Sequence, residues 1–525
     1  MENNKLYGGK AMKLNYKRVM LVGMAFFLIS AFWQAYDAII PLILTNHFGL
    51  HQTASGAIMS IDNVLAVFML PLFGALSDKV MTKRGRRTPF IVVGAVSAIS
   101  SFIALICFDA YQVNTLINAG IVERYDRAKD FLDRANEGLN LANASGNTEA
   151  IERAQTLVDE ANGAISAISD DVLSMTLNNI WVIIAFIGIL LVVLIAMATF
   201  RSPAVALMPD VTVKPLRSKA NAIINLVGTV GGILVLLLGK KFNTSGHPYM
   251  KYTWYIIAVA AIMLVGLLIF IFTVKERKWA AEMEEDTMRL GLVEKAEEET
   301  GEKRKLSRPE LRSLLLILAS VALWYIGYNS ITSKYSVYAT NILGFDYNVT
   351  LIIAQAAAIV SYIPVGIIAS KIGRRKTILA GVLMLTTAFF IGNFITPELV
   401  MHLVVILGNF SIPITPELVM YPVFILAGMG WATINVNSFP MVVELARGGD
   451  VGKYTGYYYT ASMSAQIVAP ILSGLLYDLV GMRYMFFAFG TLFVALSFVT
   501  MFFVKHGDSK NIEKKSALEH LDVDD

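Results

Sequence analysis

Cysteine is nearly absent: Cys107 is the single one in 525 residues. Disulfides within the chain and cysteine-based metal clusters are therefore excluded. Charge is scarce as well, at 16% of residues, and no Gly-x-x-x-x-Gly-Lys-Ser/Thr phosphate loop occurs. That loop is what cradles a nucleotide, so its lack argues against ATP as the energy source. Histidine is limited to six residues; His47 and His51 stand four apart without a third ligand and read as loop histidines. Neither a catalytic triad nor a nucleic-acid patch is found. An enzyme is not expected, and no cofactor or metal is called for.

Hydrophobicity fills the space that these absences leave. Apolar residues make up 56% of the chain, with mean hydropathy +0.59, beyond what a soluble domain carries. Apolar stretches begin near residues 18, 55, 89, 178, 219 and 252, then 312, 349, 377, 417, 454 and 483. Each approaches the roughly 20 residues that a helix needs to cross a bilayer. Continuous apolar runs select helices rather than a barrel. The expected fold is an all-α membrane protein with twelve transmembrane helices in two pseudo-symmetric six-helix bundles.

The expected organisation is a tail at 1–17, a first bundle at 18–274, a linker at 275–311, a second bundle at 312–504 and a tail at 505–525. Lys79, Lys83, Arg84, Arg86 and Arg87 follow span two, and Lys371, Arg374, Arg375 and Lys376 follow span eight. With Lys5, Lys10, Lys13, Lys17, Lys214, Arg217 and Lys219 they share one side if the amino terminus is cytoplasmic. This predicts an integral cell-membrane protein with both termini inside. The first apolar run is too long for a cleaved signal peptide.

Residues 110–176 interrupt the apolar rhythm. Ile121, Tyr125, Ala128, Leu132, Ala135, Leu139 and Ala142 alternate steps of four and three, and Ile151, Ala154, Val158, Ala161, Ile165 and Ile168 resume them. Such seams predict an external antiparallel helical hairpin. It reads as a solvated cap over the bundle, with protein contact through 110–176 as the alternative. The linker mixes dense charges of both signs and reads as a surface helix. A local duplication, Thr-Pro-Glu-Leu-Val-Met at 396–401 and 415–420, shows no evident chemistry.

The two halves carry matched signatures. One reads Gly74-Ala75-Leu76-Ser77-Asp78-Lys79 with Gly85-Arg86-Arg87; the other reads Gly366-Ile367-Ile368-Ala369-Ser370-Lys371 with Gly373-Arg374-Arg375. Asp37 and Asn329, each preceded by tyrosine (Tyr36, Tyr328), lie 37 residues upstream of their motif glycines. Paired membrane halves with polar sites inside the bilayer are the plan of an alternating-access transporter. A charge at mid-membrane costs ~2.5–3.5 kcal/mol on insertion scales, so Asp37 should face a polar cavity. Ser30, Gln34, Asp37 and Pro41 share one helical face, and Asp62 is a second intramembrane acid. A carboxylate held in low dielectric is a natural proton carrier, which makes Asp37 and Asp62 the coupling candidates. Across the pseudo-axis, Tyr325, Tyr328, Asn329, Trp431 and Asn435 offer amides, hydroxyls and aromatic faces. With Gln34, Tyr36 and Asp37 these form the candidate substrate site.

The doubled Gly-x-Leu-Ser-Asp-Lys…Gly-Arg-Arg pattern resembles the cytoplasmic loop signature of the major facilitator superfamily. The longer run from Ser77 to Ile91, with Pro203…Ala206-Leu207…Asp210, is similar to the sucrose-type and glycoside–pentoside–hexuronide:cation symporters. Val205 stands where sucrose-type members often carry arginine. The resemblance implies the major facilitator fold, a sugar substrate, and coupling to protons or sodium ions. Asp78, Arg86, Arg87, Asp210, Arg374, Arg375 and Glu444 are the candidates for a cytoplasmic gate, the arginines pairing with acids on the other bundle. An exporter of drugs or metabolites, or a non-transporting sensor or scaffold using the hairpin, are the alternatives.

Overall fold

A computed structural model describes residues 14–213, 216–289, 307–397, 399, 400, 403, 416–443, 445 and 451–505. Glu444, Lys5, Lys10, Lys13, Lys214, the tail beyond residue 505 and most of the stretch joining the two hexapeptide copies lie outside the described residues. The first half contains α1 (Tyr16–Leu42), α2 (Gln52–Met59), α3 (Ile61–Lys79), α4 (Thr88–Asn118), α5 (Ile121–Ser145), α6 (Thr148–Asn178), α7 (Ile180–Asp210), α8 (Arg217–Lys241) and α9 (Thr253–Thr273). A charged helix, α10 (Glu276–Arg289), follows. The second half contains α11 (Arg308–Thr332), the short turn α12 (Tyr335–Val337), α13 (Tyr347–Ile372), α14 (Arg374–Gly392), α15 (Tyr421–Val443), α16 (Val451–Val480) and α17 (Met482–Phe502).

Eleven of these segments are long and apolar enough to cross a membrane, α2 and α3 counting as one, and a shorter apolar stretch, Tyr347–Tyr362, lies in α13. Helices are the expected solution, because a backbone in hydrocarbon must satisfy its own hydrogen bonds. Large apolar side chains are exposed, among them Phe272 (77%), as helices solvated by lipid allow. Inside, α4 and α7 cross closely because Gly94 presents no side chain. A Cβ there would lie 2.7 Å from Cβ of Phe200 and 2.9 Å from the Ala196 carbonyl.

The seam residues of α5 and α6 pack against one another in two clusters. Ala135, Leu139 and Ala142 meet Ala154 and Val158 near the tip, while Ile121 and Ala128 meet Ile168, Val172 and Tyr249 at the base. His247 joins that base by meeting Asp126 at 2.9 Å. His47 corrects the reading of loop histidines. Its side chain is fully buried, Nδ1 meets Oδ1 of Asp109, and Nε2 donates to the Pro248 carbonyl at 3.0 Å. The chain past α1 winds into a π-helical turn instead of leaving as a loop, and this carries His47 inward.

The two halves meet tightly at the end of the bundle away from the Val80–Arg87 loop. There Asn341 donates to Asn46 (2.6 Å), Asn348 to the Thr244 hydroxyl (3.0 Å) and Ser245 to Asp346 (3.1 Å). In α2, Ser55, Gly56 and Met59 are buried. In α3, which continues toward the loop end, only Ser77 is buried. The span is thus clamped at one end and, among the described residues, bare along the rest, which we read as a parting of the halves toward the loop end.

Gly94→Leu should lower the melting temperature of the detergent-purified protein, since overpacking a close crossing costs about 1–3 kcal/mol. Gly163→Leu, with nothing near its Cβ position, should leave it unchanged. Equal melting of the two variants would contradict this packing.

Candidate functional site

Polar residues buried in lipid-solvated helices gather where the halves face each other. A cavity of about 570 Å³ lies there. From the first half it is lined by Ser30, Trp33, Gln34 and Asp37 of α1, Arg201 of α7 and Asn225 and Thr229 of α8. The second half supplies Tyr328, Asn329 and Thr332 of α11, Gln355 and Tyr362 of α13 and Trp431 of α15. The period of α1 explains the first group: Ser30, Gln34 and Asp37 step along one helical face. Asp37 is solvent-exposed in this cavity although the helix around it is buried. A smaller cavity of about 190 Å³ shares Trp33, Asp37, Arg201, Asn329 and Thr332, and adds Asp62, Asn63 and Gln466. Both intramembrane acids therefore border one polar region.

On the second half, Tyr328 lies flat on Trp431, with ring centroids 3.7 Å apart and planes 6° from parallel. Tyr325 meets the same indole edge-on at 5.5 Å. Asn329 donates to the Tyr325 carbonyl at 2.9 Å, which fixes its amide along α11. Across the cavity, the Gln355 amide donates to Gln34 and joins the two halves directly. Two donors that border the cavity, Trp33 Nε1 and Asn225 Nδ2, have no hydrogen-bond partner among the described residues. The Arg201 guanidinium sits 5.8 Å over the Trp33 ring and, among the described residues, forms no ion pair. Such donors suit a ligand rich in hydroxyl or carboxyl oxygens, because a buried unmatched donor is costly.

Gln34, Asp37, Tyr328, Asn329 and Trp431 come together, and Asp62 joins through the smaller cavity. Tyr36, Tyr325 and Asn435 stand outside the lining of both cavities. For Tyr36 the reason is the helical step of about 100° per residue. It turns the ring away from Asp37 onto Phe32 and Trp33, at 5.9 and 5.3 Å. Arg201, Trp33, Asn225 and Gln355 were not anticipated as site residues. The signal was present for Arg201, a lone basic residue within the 31-residue apolar α7.

The loop arginines also need correction. They were expected to reach acids on the other bundle, yet among the described residues the acidic partners of Arg86 and Arg87 lie in their own half. Arg86 grips Asp210 with two hydrogen bonds (3.1 and 2.7 Å), and Arg87 donates to Asp210 (2.8 Å), Asp78 and Ser77. The hydrogen bond to Asp210 holds the Arg86 guanidinium above its usual pKa. In the second half, Arg375 donates to the Phe502 carbonyl at the end of α17. The physical reason is the parting of the halves at this end, which leaves the nearest acids on the same side of the gap. Glu276 is the missing centre of the cluster. It is buried, and its carboxylate accepts from the backbone N–H groups of Arg86 (2.7 Å), Arg87 (2.9 Å) and Thr88 (2.7 Å) and from the Thr88 hydroxyl (2.7 Å). It thereby caps the start of α4, where helix N–H groups lack intrahelical partners. Arg18 pairs with Glu282 and lies 5.0 Å over Trp279, so α10 is held against the first half.

The comparisons with known proteins agree with this architecture. The Major Facilitator Superfamily family model matches residues 164–421 and 399–521, and the MFS/sugar transport protein model matches residues 21–122. Among solved structures, the inward-open xylose transporter XylE from E. coli is 14% identical, with TM-score 0.55 over 96% of this chain and 99% of that one. A POT family transporter in complex with 5-aminolevulinic acid is 11% identical, with TM-score 0.58 over 95% and 98%. A point mutant of the nucleoside transporter NupG is 13% identical, with TM-score 0.52 over 92% and 99%. A search of curated proteins finds no match.

Glu276→Gln should destabilise the first half, because its amide nitrogen would face donors where an oxygen now accepts. The expected loss is about 1–3 kcal/mol, read as a lower melting temperature in detergent. Arg84→Ala, at the exposed loop surface, should melt like the parent; an unchanged Glu276→Gln would contradict the capping role.

Proposed function

The chain belongs to the major facilitator superfamily, and we propose that it is a symporter moving a glycoside together with a proton or sodium ion by alternating access. The observation that carries this reading is that Asp37 borders the same cavity as the stacked Tyr328–Trp431 pair. An aromatic face packs against the C–H surface of a sugar ring, while amides and unmatched N–H donors take its hydroxyls. An acid on the opposite wall can bind the coupling cation. The match of residues 21–122 to the sugar transport family model supports the same substrate class. That segment contains both Asp37 and Asp62.

In this reading Asp37 is the principal coupling residue and Asp62 its neighbour in the smaller cavity. A carboxylate at mid-membrane carries its charge at a cost even where a cavity reaches it. Taking up a proton or sodium ion would neutralise it and let the loaded cavity change sides. Arg201, beside both acids, would lower the cost of the charged form between cycles. The Val80–Arg87 loop and both termini are assigned to the cytoplasm, by the excess of basic residues at that end. The parted end then faces the cell interior, and the α5–α6 pair is an external insertion capping the first half. Asp78, Asp210, Arg86 and Arg87 keep the inner loop rigid while the halves rock, and gate by position instead of by bonding across the gap.

The test is uptake of radiolabelled glycosides into proteoliposomes under an imposed proton or sodium gradient. At least one glycoside should accumulate uphill, and Asp37→Asn should abolish the accumulation while leaving counterflow measurable. Failure of every glycoside with either gradient would refute sugar symport. Unaltered uphill uptake by Asp37→Asn would refute the coupling role alone.

A further inference from the structure

The spacing Gly-x-Leu-x-Asp of the first loop signature, Gly74 to Asp78, recurs at Gly474-Leu475-Leu476-Tyr477-Asp478, at the opposite end of the molecule. There it lies on the last turn of α16, against the start of α2 in the other half. The Asp478 carboxylate accepts from the backbone N–H of Gln52 at 2.8 Å, from that of Thr53 at 2.7 Å, and from the Thr53 hydroxyl. Gly474 lets the two backbones close: a Cβ would lie 2.4 Å from the Gln52 carbonyl oxygen. The same carbonyl accepts from Nζ of Lys334, 3.3 Å away, and Lys334 is fully buried. One turn further in, Gly56 rests on the Pro470 carbonyl with room for no side chain.

We propose that Asp478 and Lys334 form the lock that holds the two halves shut at the end away from the basic loop, and that each transport cycle must release it. The carboxylate supplies negative charge where the start of α2 carries unsatisfied N–H groups, an attraction that reinforces hydrogen bonding. The lysine supplies a positive charge to the carbonyl of the residue whose N–H the carboxylate holds. Opening this end would separate every one of these contacts at once, because they run between α2 in one half and α16 with the segment after α11 in the other. Water would then solvate both charges, so the lock adds a finite bias toward the closed form and not a permanent bond. The inference needs only two halves that move; it does not depend on the substrate.

Distances between spin labels at Asn179 and Tyr484, in a Cys107→Ser background in nanodiscs, report the separation of the halves at this end without any ligand. Asp478→Asn should raise the ratio of wide to narrow distances about tenfold, the change set by losing one charge-assisted hydrogen bond. Asp478→Glu should retain more of the parent distribution than Asp478→Asn does. Should Asp478→Asn yield no folded protein, Thr53→Val removes only the hydroxyl donor and decides the matter in the same way. A distance distribution unchanged by the variant examined would overturn the lock.

Discussion

A hydrocarbon surround cannot solvate charge, and the arrangement of this protein follows from that constraint. Each ionised or amide side chain within the spans must find water, a partner or a cavity. The chain meets the requirement by turning its polar faces toward the plane between its halves. Asp37, Asp62 and Arg201 meet there, while large apolar side chains such as Phe272 are left exposed. The same plane is where a solute can pass, so the demand for solvation and the site for transport coincide.

Polar contacts are distributed unevenly along that plane, and this gives the molecule its shape. Toward the far end, hydrogen bonds join Asn46 to Asn341, Thr244 to Asn348 and Ser245 to Asp346. Toward the loop end, the strong charged groups are engaged within the first half, around Asp210 and Glu276. A half whose inner loop is internally braced can move as a body. Contacts that cross the plane set which end is open, and contacts that stay within a half set how rigidly it moves.

Much of the fold was legible because its signals are long and periodic. The apolar runs mark the spanning helices, eleven of them long enough among the described residues and a twelfth, shorter stretch in α13. Three members of one helical face of α1, Ser30, Gln34 and Asp37, do line the cavity. What escaped depends on which face of a neighbouring helix lies opposite. Asn225 and Gln355 carry no periodic mark in the sequence, and only the packing of α8 and α13 brings them to the cavity. Tyr36 was misassigned because adjacency in sequence to Asp37 means a different orientation on a helix. Glu276 lay hidden in a charge-rich linker, where one capping carboxylate looks like its many neighbours. His47 was missed because the turn after α1 keeps winding and buries it beside Asp109.

Transport through the plane between the halves requires Asp37 and Trp431 to face one aqueous cavity reached from the basic-loop side. Thiol labelling of Asp37→Cys and Trp431→Cys, each in a Cys107→Ser background, in inside-out membrane vesicles measures that access. Both cysteines should react with a membrane-impermeant, water-soluble reagent. Reaction with a lipid-soluble reagent alone would place both side chains against the bilayer and rule out a shared water-filled site.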